Sequence, residues 1–157
     1  MGDGDWTLTR RYYVTQDSNL EQISSQLIED LGELESGNWQ PLVDFASRAI
    51  SSYPANKYVL ILSDHGSGWP GSMSDDDPNP GDQITTNQID KALSEIINRD
   101  GIGQFELVGF DACLMAQLEV FDALAPYTRY AIASEEIVPG LGFAYAKPYK
   151  GWSPTLR

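Results

Sequence analysis

The sequence predicts an α/β fold, a three-layer α/β/α sandwich with a mostly parallel sheet. Three observations carry this expectation. Short continuous apolar runs, YVLIL at 58–62 and FELVGF at 105–110, read as strands of a sheet covered on both faces. Segments with apolar residues at helical spacing stand between and around them. Gly, Pro, Asn and Asp punctuate the changes, and strands alternating with helices form parallel sheets. The 157 residues are expected to form one domain, 1–157, long enough to bury a core. A hydrophobic share of 41% against 21% charged residues separates the chain from disordered sequences.

The elements follow in order. Leu8 to Thr15 reads as the first strand. From Asn19 to Leu31, apolar Leu20, Ile23, Leu27, Ile28 and Leu31 recur at helical spacing, so a helix is expected there, stopping near Gly32. A second helix is expected from Pro41 to Ser52, with Leu42, Phe45, Ala46 and Ile50 on its inner face and Pro54 behind it. Lys57 to Leu62 is the next strand. Gly66 to Asp82 has no periodicity and reads as a long loop, the kind that usually carries function. Thr86 suits the cap of a helix bearing Ile89, Leu93, Ile96 and Ile97, which ends near Asp100-Gly101. Phe105 to Phe110 is a strand. Leu114 to Leu124 is expected to be helical, with Leu114, Leu118 and Phe121 inward. Tyr130 to Ala133 is a strand, and the stretch from Pro139 onward is loop.

Charge and composition exclude several function classes. Twenty-three acidic against ten basic residues give a net charge of −13, a field that repels phosphate backbones and anionic lipid surfaces. Nucleic acid and membranes are therefore not expected partners, whereas cationic peptides are compatible. The same charge also serves solubility alone. No apolar run approaches the roughly 20 residues of a membrane span. The opening MGDGDWTLTRRYY lacks the basic start and apolar stretch of a signal peptide. One cysteine forms no internal disulfide, so cysteine usage does not disclose the redox compartment. No Walker or dinucleotide glycine motif follows any strand, and one Cys with one His cannot close a structural zinc site.

That cysteine and that histidine are the main chemical signal. His65 follows the run YVLILSD, and Cys113 follows ELVGFDA, 48 residues later. Strands of a parallel sheet deliver the residues beyond their carboxyl ends to a common rim where ligands bind. A thiol and an imidazole both delivered there suggest a nucleophile with its acid/base partner. For Cys113, a helix amino terminus just beyond it would favour the thiolate, while the plain alternative is a small buried hydrophobe. For His65, the alternative is a structural cap on the strand end. The Gly66 amide beside it and the Cys113 amide could bind an oxyanion. Ser67 is a competing nucleophile but lacks the strand–turn–helix setting of a G-x-S-x-G elbow. Asp111 either shares the rim with Cys113 and pairs with a cationic substrate group or caps the following helix. Asp64 either holds a turn or assists His65. No cofactor is required by these residues. Calcium remains a candidate ligand for the loop acids Asp75, Asp76, Asp77 and Asp82, against a reading of them as a solvated loop whose spacing does not match an EF-hand.

Together, YVLILSDHGSGW, LVGFDACLMAQLEV and ASEEIVPGLGFAY resemble the clostripain family of cysteine endopeptidases, which share the caspase-like α/β fold. RRYYVTQD and LIEDLGELESGNWQPLVDFASRAI extend the resemblance upstream. Caspases place their histidine about 50 residues before the cysteine, a spacing this chain matches. The resemblance implies Cys113 as nucleophile, His65 as general acid/base, the Gly66 and Cys113 amides as oxyanion donors, and Asp111 as the acid that selects Arg or Lys before the scissile bond. It implies peptide or protein substrates with a basic residue at that position, a bacterial source and a secreted or periplasmic location. It also implies a strand and helix ahead of RRYYV and further structure after PGLGF, so a core excerpt of a longer family-type chain is expected. Family members resemble zymogens cut after a basic residue between the histidine and the cysteine. Gly66 to Asp90 contains no Lys or Arg, and the two basic residues that remain, Lys91 and Arg99, fall in the expected helix, so a single uncut chain is expected. The rival readings are an inactive peptide-binding remnant of the same fold and a calcium-dependent structural module.

Overall fold

The computed structural model describes residues 8–15, 24–75, 82–143 and 145. It divides into two compact units, 1–35 and 36–157. In the first, β1 (Thr9–Tyr13) pairs antiparallel with β2 (Gln26–Gly32). This corrects the helix expected over Asn19 to Leu31, whose residues 19–23 lie outside the described part. Apolar residues in so short a segment fit either period, and the pairing chemistry decides between them. Arg10 stands opposite Asp30 and Arg11 opposite Glu29, with ion pairs of 3.1 and 3.0 Å. Opposite charges facing each other across two strands favour this pairing, weakly because the pairs lie at the surface.

The second unit opens on α1 (Trp39–Ser52). Asn38 caps it by accepting a hydrogen bond from Gln40 N at 3.1 Å. Pro41 falls within the first turn, where a helix does not need its missing N–H. The inner face holds Trp39, Leu42, Val43, Ala46 and Ile50. Phe45, expected inward, is 48% exposed, because Val43 and Ser47 complete the buried stripe instead.

After β3 (Val59–Ser63), the expected loop from Gly66 to Asp82 contains part of a hairpin. Strand β4 (Ser72–Asp75) pairs antiparallel with β5 (Asp82–Ile84). Both strands are short and polar, which is why no period is visible in the sequence. Asp75 accepts from the Ser36 amide at 2.6 Å and from its hydroxyl at 2.9 Å, tying the hairpin to the turn before α1.

Helix α2 (Thr86–Asp100) is capped by Thr85, not Thr86. Thr85 and Gln88 form a reciprocal capping box that satisfies two otherwise orphaned amides. The Thr86 hydroxyl instead donates to the Trp69 carbonyl at 2.6 Å. Gly101, at φ 66°, ends the helix in the left-handed conformation that glycine adopts without strain.

Strand β6 (Phe105–Asp111) leads to α3 (Leu118–Leu124) and β7 (Thr128–Ile132). The helix expected from Leu114 begins four residues later. Leu114 has φ 62°, incompatible with a right-handed helix. The amides of Leu114 and Ala116 are also committed to the carbonyls of Glu136 and Ser134. The inner face shifts accordingly. Met115, Val120 and Leu124 are buried, whereas Leu118 is 81% exposed.

The parallel sheet has the order β3-β6-β7. Both crossovers step the same way across it, so right-handed connections carry α2 and α3 over one face. Leu60, Leu62, Val108 and Phe110 form one buried cluster with the inner faces of all three helices. Burying a side chain of this size contributes about 1.5–3 kcal/mol. On the other face, register aligns Ile61, Gly109 and Ile132 in one row, with Ser63 and Asp111 in the next toward the carboxyl ends. That end of the sheet positions the site.

Candidate active site

Ser63 and Asp111 are paired in register at the carboxyl ends of β3 and β6. His65 and Cys113 each lie two residues beyond that pair, so adjacent strands deliver the imidazole and the thiol to one rim. Both line a cavity of about 540 Å³, with Asp64, Asp111 and, opposite them, the segment 137–142 and Tyr145. His65 is exposed and Cys113 half-buried. The sequence-derived grouping of His65, Cys113 and Asp111 is therefore one site in space.

The histidine loop is a tight reversal. Met73 N donates to the His65 carbonyl and Ser67 N to the Gly71 carbonyl, both at 3.0 Å. Those two bonds flank Gly66 and leave its own N–H out of the bridge. Gly66 lies hard against the cysteine loop, where an added Cβ would fall on the Cys113 carbonyl oxygen. The Ser67 hydroxyl donates to Gly71 O at 2.9 Å and lies 3.0 Å from Gln83 Oε1, and Ser67 does not line the cavity. Its oxygen serves the reversal. Asp64 Oδ1 accepts from the His65 amide at 2.6 Å, which is the turn-holding alternative for that residue.

The cysteine loop is held from two sides. Bonds to Ser134 and Glu136 fix one flank, and Gln117 Oε1 accepts from Trp69 N at 3.0 Å on the other. Gln117 thus joins the cysteine loop to the histidine loop instead of capping α3, which has no side-chain cap. Because α3 starts five residues beyond Cys113 and is only seven residues long, the helix-terminus argument for a thiolate loses its geometric basis.

Asp111 is the buried charge of the site, only 4% exposed. It does not cap α3. Its Oδ2 accepts from Phe143 N and from the Tyr145 hydroxyl, each at 2.9 Å, while Oδ1 is buried with no partner among the described residues. Gly142, at φ 66°, permits this approach, since a Cβ there would fall on Oδ2. Removal of the Tyr145 hydroxyl from water, its bond to Asp111 and that carboxylate's charge push the Tyr145 pKa up to about 12. Sequence reasoning missed Gln117 and Tyr145. No periodicity marks either one, and the only signal was the position of Tyr145 within the family-like PGLGFAY segment.

No group of three or more His, Cys, Asp or Glu residues among the described residues is placed to hold a metal ion. Asp76 and Asp77 of the acidic run lie outside the described residues. A larger cavity, about 670 Å³, lies between the start of α2 and α3, and neither His65 nor Cys113 lines it.

The parallel α/β sheet thus brings a thiol, an imidazole and a buried carboxylate to one strand-end rim. The clostripain family model matches residues 3–149, and the chain belongs to that family. It is similar to clostripain from Hathewaya histolytica, 31% identical over 134 residues that cover 73% of this chain and 24% of that protein. Among solved structures it is similar to a secreted C11 cysteine protease from Bacteroides thetaiotaomicron in complex with an irreversible peptide inhibitor. That likeness has a TM-score of 0.66 at 24% identity and covers 86% of this chain and 36% of the other. An inactive zymogen C11 protease from Parabacteroides distasonis matches with a TM-score of 0.63 at 25% identity, over 87% of this chain and 36% of the other. These neighbours give the fold as caspase-like. The chain spans between 24 and 36% of the length of these relatives.

Proposed function

We propose that the chain carries the catalytic core of a cysteine endopeptidase that hydrolyses peptide bonds after Lys or Arg. The observation that carries this reading is the convergence on one cavity of His65, Cys113 and Asp111, whose Oδ1 has no partner among the described residues. The Cys113 sulfur attacks the scissile carbonyl as the thiolate, forming a tetrahedral oxyanion. The Gly66 and Cys113 amides are the donors that receive that charge. Collapse breaks the C–N bond, and His65 protonates the departing amine. His65 then takes a proton from water, which attacks the thioester and releases the acid with the thiol restored. A buried Asp111 pairs with the cationic side chain that precedes the cleaved bond.

The test is turnover of fluorogenic peptides ending in Lys, Arg or norleucine, with Cys113→Ala, His65→Ala and Asp111→Asn alongside. Turnover of the basic substrates alone, lost in all three variants, is expected. Equal turnover by wild type and Cys113→Ala would sink the assignment. Peptide binding without turnover selects the second reading, a non-catalytic peptide-binding domain of the same fold. We further propose a location outside the cytoplasm, as the Bacteroides relative is described as secreted. With no basic residue from Gly66 to Asp90, the protein is proposed to act uncut. Calcium, if it contributes, raises the melting temperature, and a melt unchanged by chelator removes it from consideration.

A further inference from the structure

We infer that this cavity selects lysine over arginine at the residue preceding the cleaved bond. The inference rests on the basic-residue reading above and asks which cation the Asp111 carboxylate can still accept.

A carboxylate offers two oxygens and about four lone-pair sites. At Asp111 these are unequally spent. Oδ2 already accepts two hydrogen bonds, from Phe143 N and from the Tyr145 hydroxyl, both at 2.9 Å. Among the described residues Oδ1 accepts none, although it is buried. The Phe143 bond is fixed by the backbone, because Gly142 turns the chain directly against the carboxylate. The Tyr145 hydroxyl keeps its proton, and so its donor role, well above neutral pH.

The two cations use such an acceptor differently. A guanidinium is a planar fork whose strongest pairing places two parallel N–H bonds on the two oxygens of one carboxylate. With Oδ2 filled, an arginine reaches that geometry only by displacing the Tyr145 hydroxyl. An ammonium is a compact charge with three donors that needs one free oxygen. Oδ1 supplies it. Tyr145 is 64% exposed at the mouth of the cavity and thereby acts as a specificity-determining residue.

The experiment measures covalent labelling of Cys113 by intact mass, using blocked peptidyl chloromethyl ketones that carry lysine, arginine or norleucine next to the reactive carbon. It reads the site without requiring turnover. Lysine is expected to label about tenfold faster than arginine, the scale of one charge-assisted hydrogen bond, and both faster than norleucine. In Tyr145→Phe, which frees a lone pair on Oδ2, the arginine rate rises and the ratio falls toward one. If neither basic reagent outpaces norleucine, the basic-residue reading fails and this inference with it. If both outpace norleucine but arginine equals or exceeds lysine in the wild type, the inference alone is overturned. A lysine-to-arginine ratio unchanged in a folded Tyr145→Phe protein overturns the role given to Tyr145.

Discussion

Gly66 packs so closely on Cys113 that a side chain at position 66 would occupy the space of the cysteine carbonyl oxygen. Met115 Cγ and the Ala112 Cβ stand 3.0 Å from the same point, so three atoms would have to give way together. Two of them belong to Cys113 and the residue before it. Gly66→Ala is therefore expected to cost about 1–3 kcal/mol of stability, as overpacking does. It should slow Cys113 alkylation as well, because relief requires the two loops to separate. Urea unfolding and thiol labelling measured on the same sample check both parts, and an alanine variant with unchanged midpoint and labelling rate contradicts the packing.

Gly142 sets the Asp111 environment from the other side. At φ 66°, with its missing Cβ directed at Asp111 Oδ2, it has no tolerant substitute. Gly142→Ala is expected to push the Phe143 amide off the carboxylate and to raise KM for basic substrates about tenfold, the scale of a hydrogen bond to a charged group. The positive φ and the loss of a bond to a buried carboxylate also lower the melting temperature. A large loss of melting temperature with unchanged KM would show that the loop serves stability instead of binding.

Tyr145 offers a pH test. Its hydroxyl pKa lies near 12, above the ordinary value of 10, so the folded state holds that proton more tightly than the unfolded chain. The stabilisation is fully present below pH 10 and is lost as pH rises from about 10 through about 12. The tyrosinate absorbance of wild type minus that of Tyr145→Phe should therefore show a step near pH 12. A step near pH 10 would mean that the hydroxyl does not engage Asp111.

The capping box of α2 gives a prediction independent of any function. Thr85→Ala removes the oxygen that accepts from Gln88 N and is expected to cost about 1 kcal/mol. In a protein of this size that lowers the melting temperature by roughly 2–4 °C. Thr86→Ala removes only the hydroxyl bond to the Trp69 carbonyl and should cost less, which differential scanning calorimetry can resolve. Equal losses would argue against Thr85 as the cap.

The sheet was readable because its strands carry their signal locally. YVLIL and FELVGF are apolar on both faces, and their sequence neighbours supply the turns. The rim pair was readable for the same reason, since His65 and Cys113 stand at equal offsets from two strand ends. What escaped was fixed by partners distant in sequence. Gln26 to Gly32 is a strand because Arg10 and Arg11 lie opposite its acids. Leu114 to Gln117 stays non-helical because Ser134 and Glu136 bind its amides. Tyr145 reaches Asp111 across 34 residues by way of a glycine turn that no periodicity announces.

The equal offset of His65 and Cys113 from the Ser63–Asp111 pair has a kinetic consequence. Slipping β3 by one residue against β6 would move every side chain of the strand to the opposite face. His65 and Cys113 come to line one cavity only when that one alignment has been reached, and that alignment joins chain segments almost fifty residues apart. Non-local pairings of this kind are slow to form. A change in the alkylation rate of Cys113 during refolding is thus an internal stopwatch for closure of the sheet, readable with nothing more than an alkylating agent and a quench.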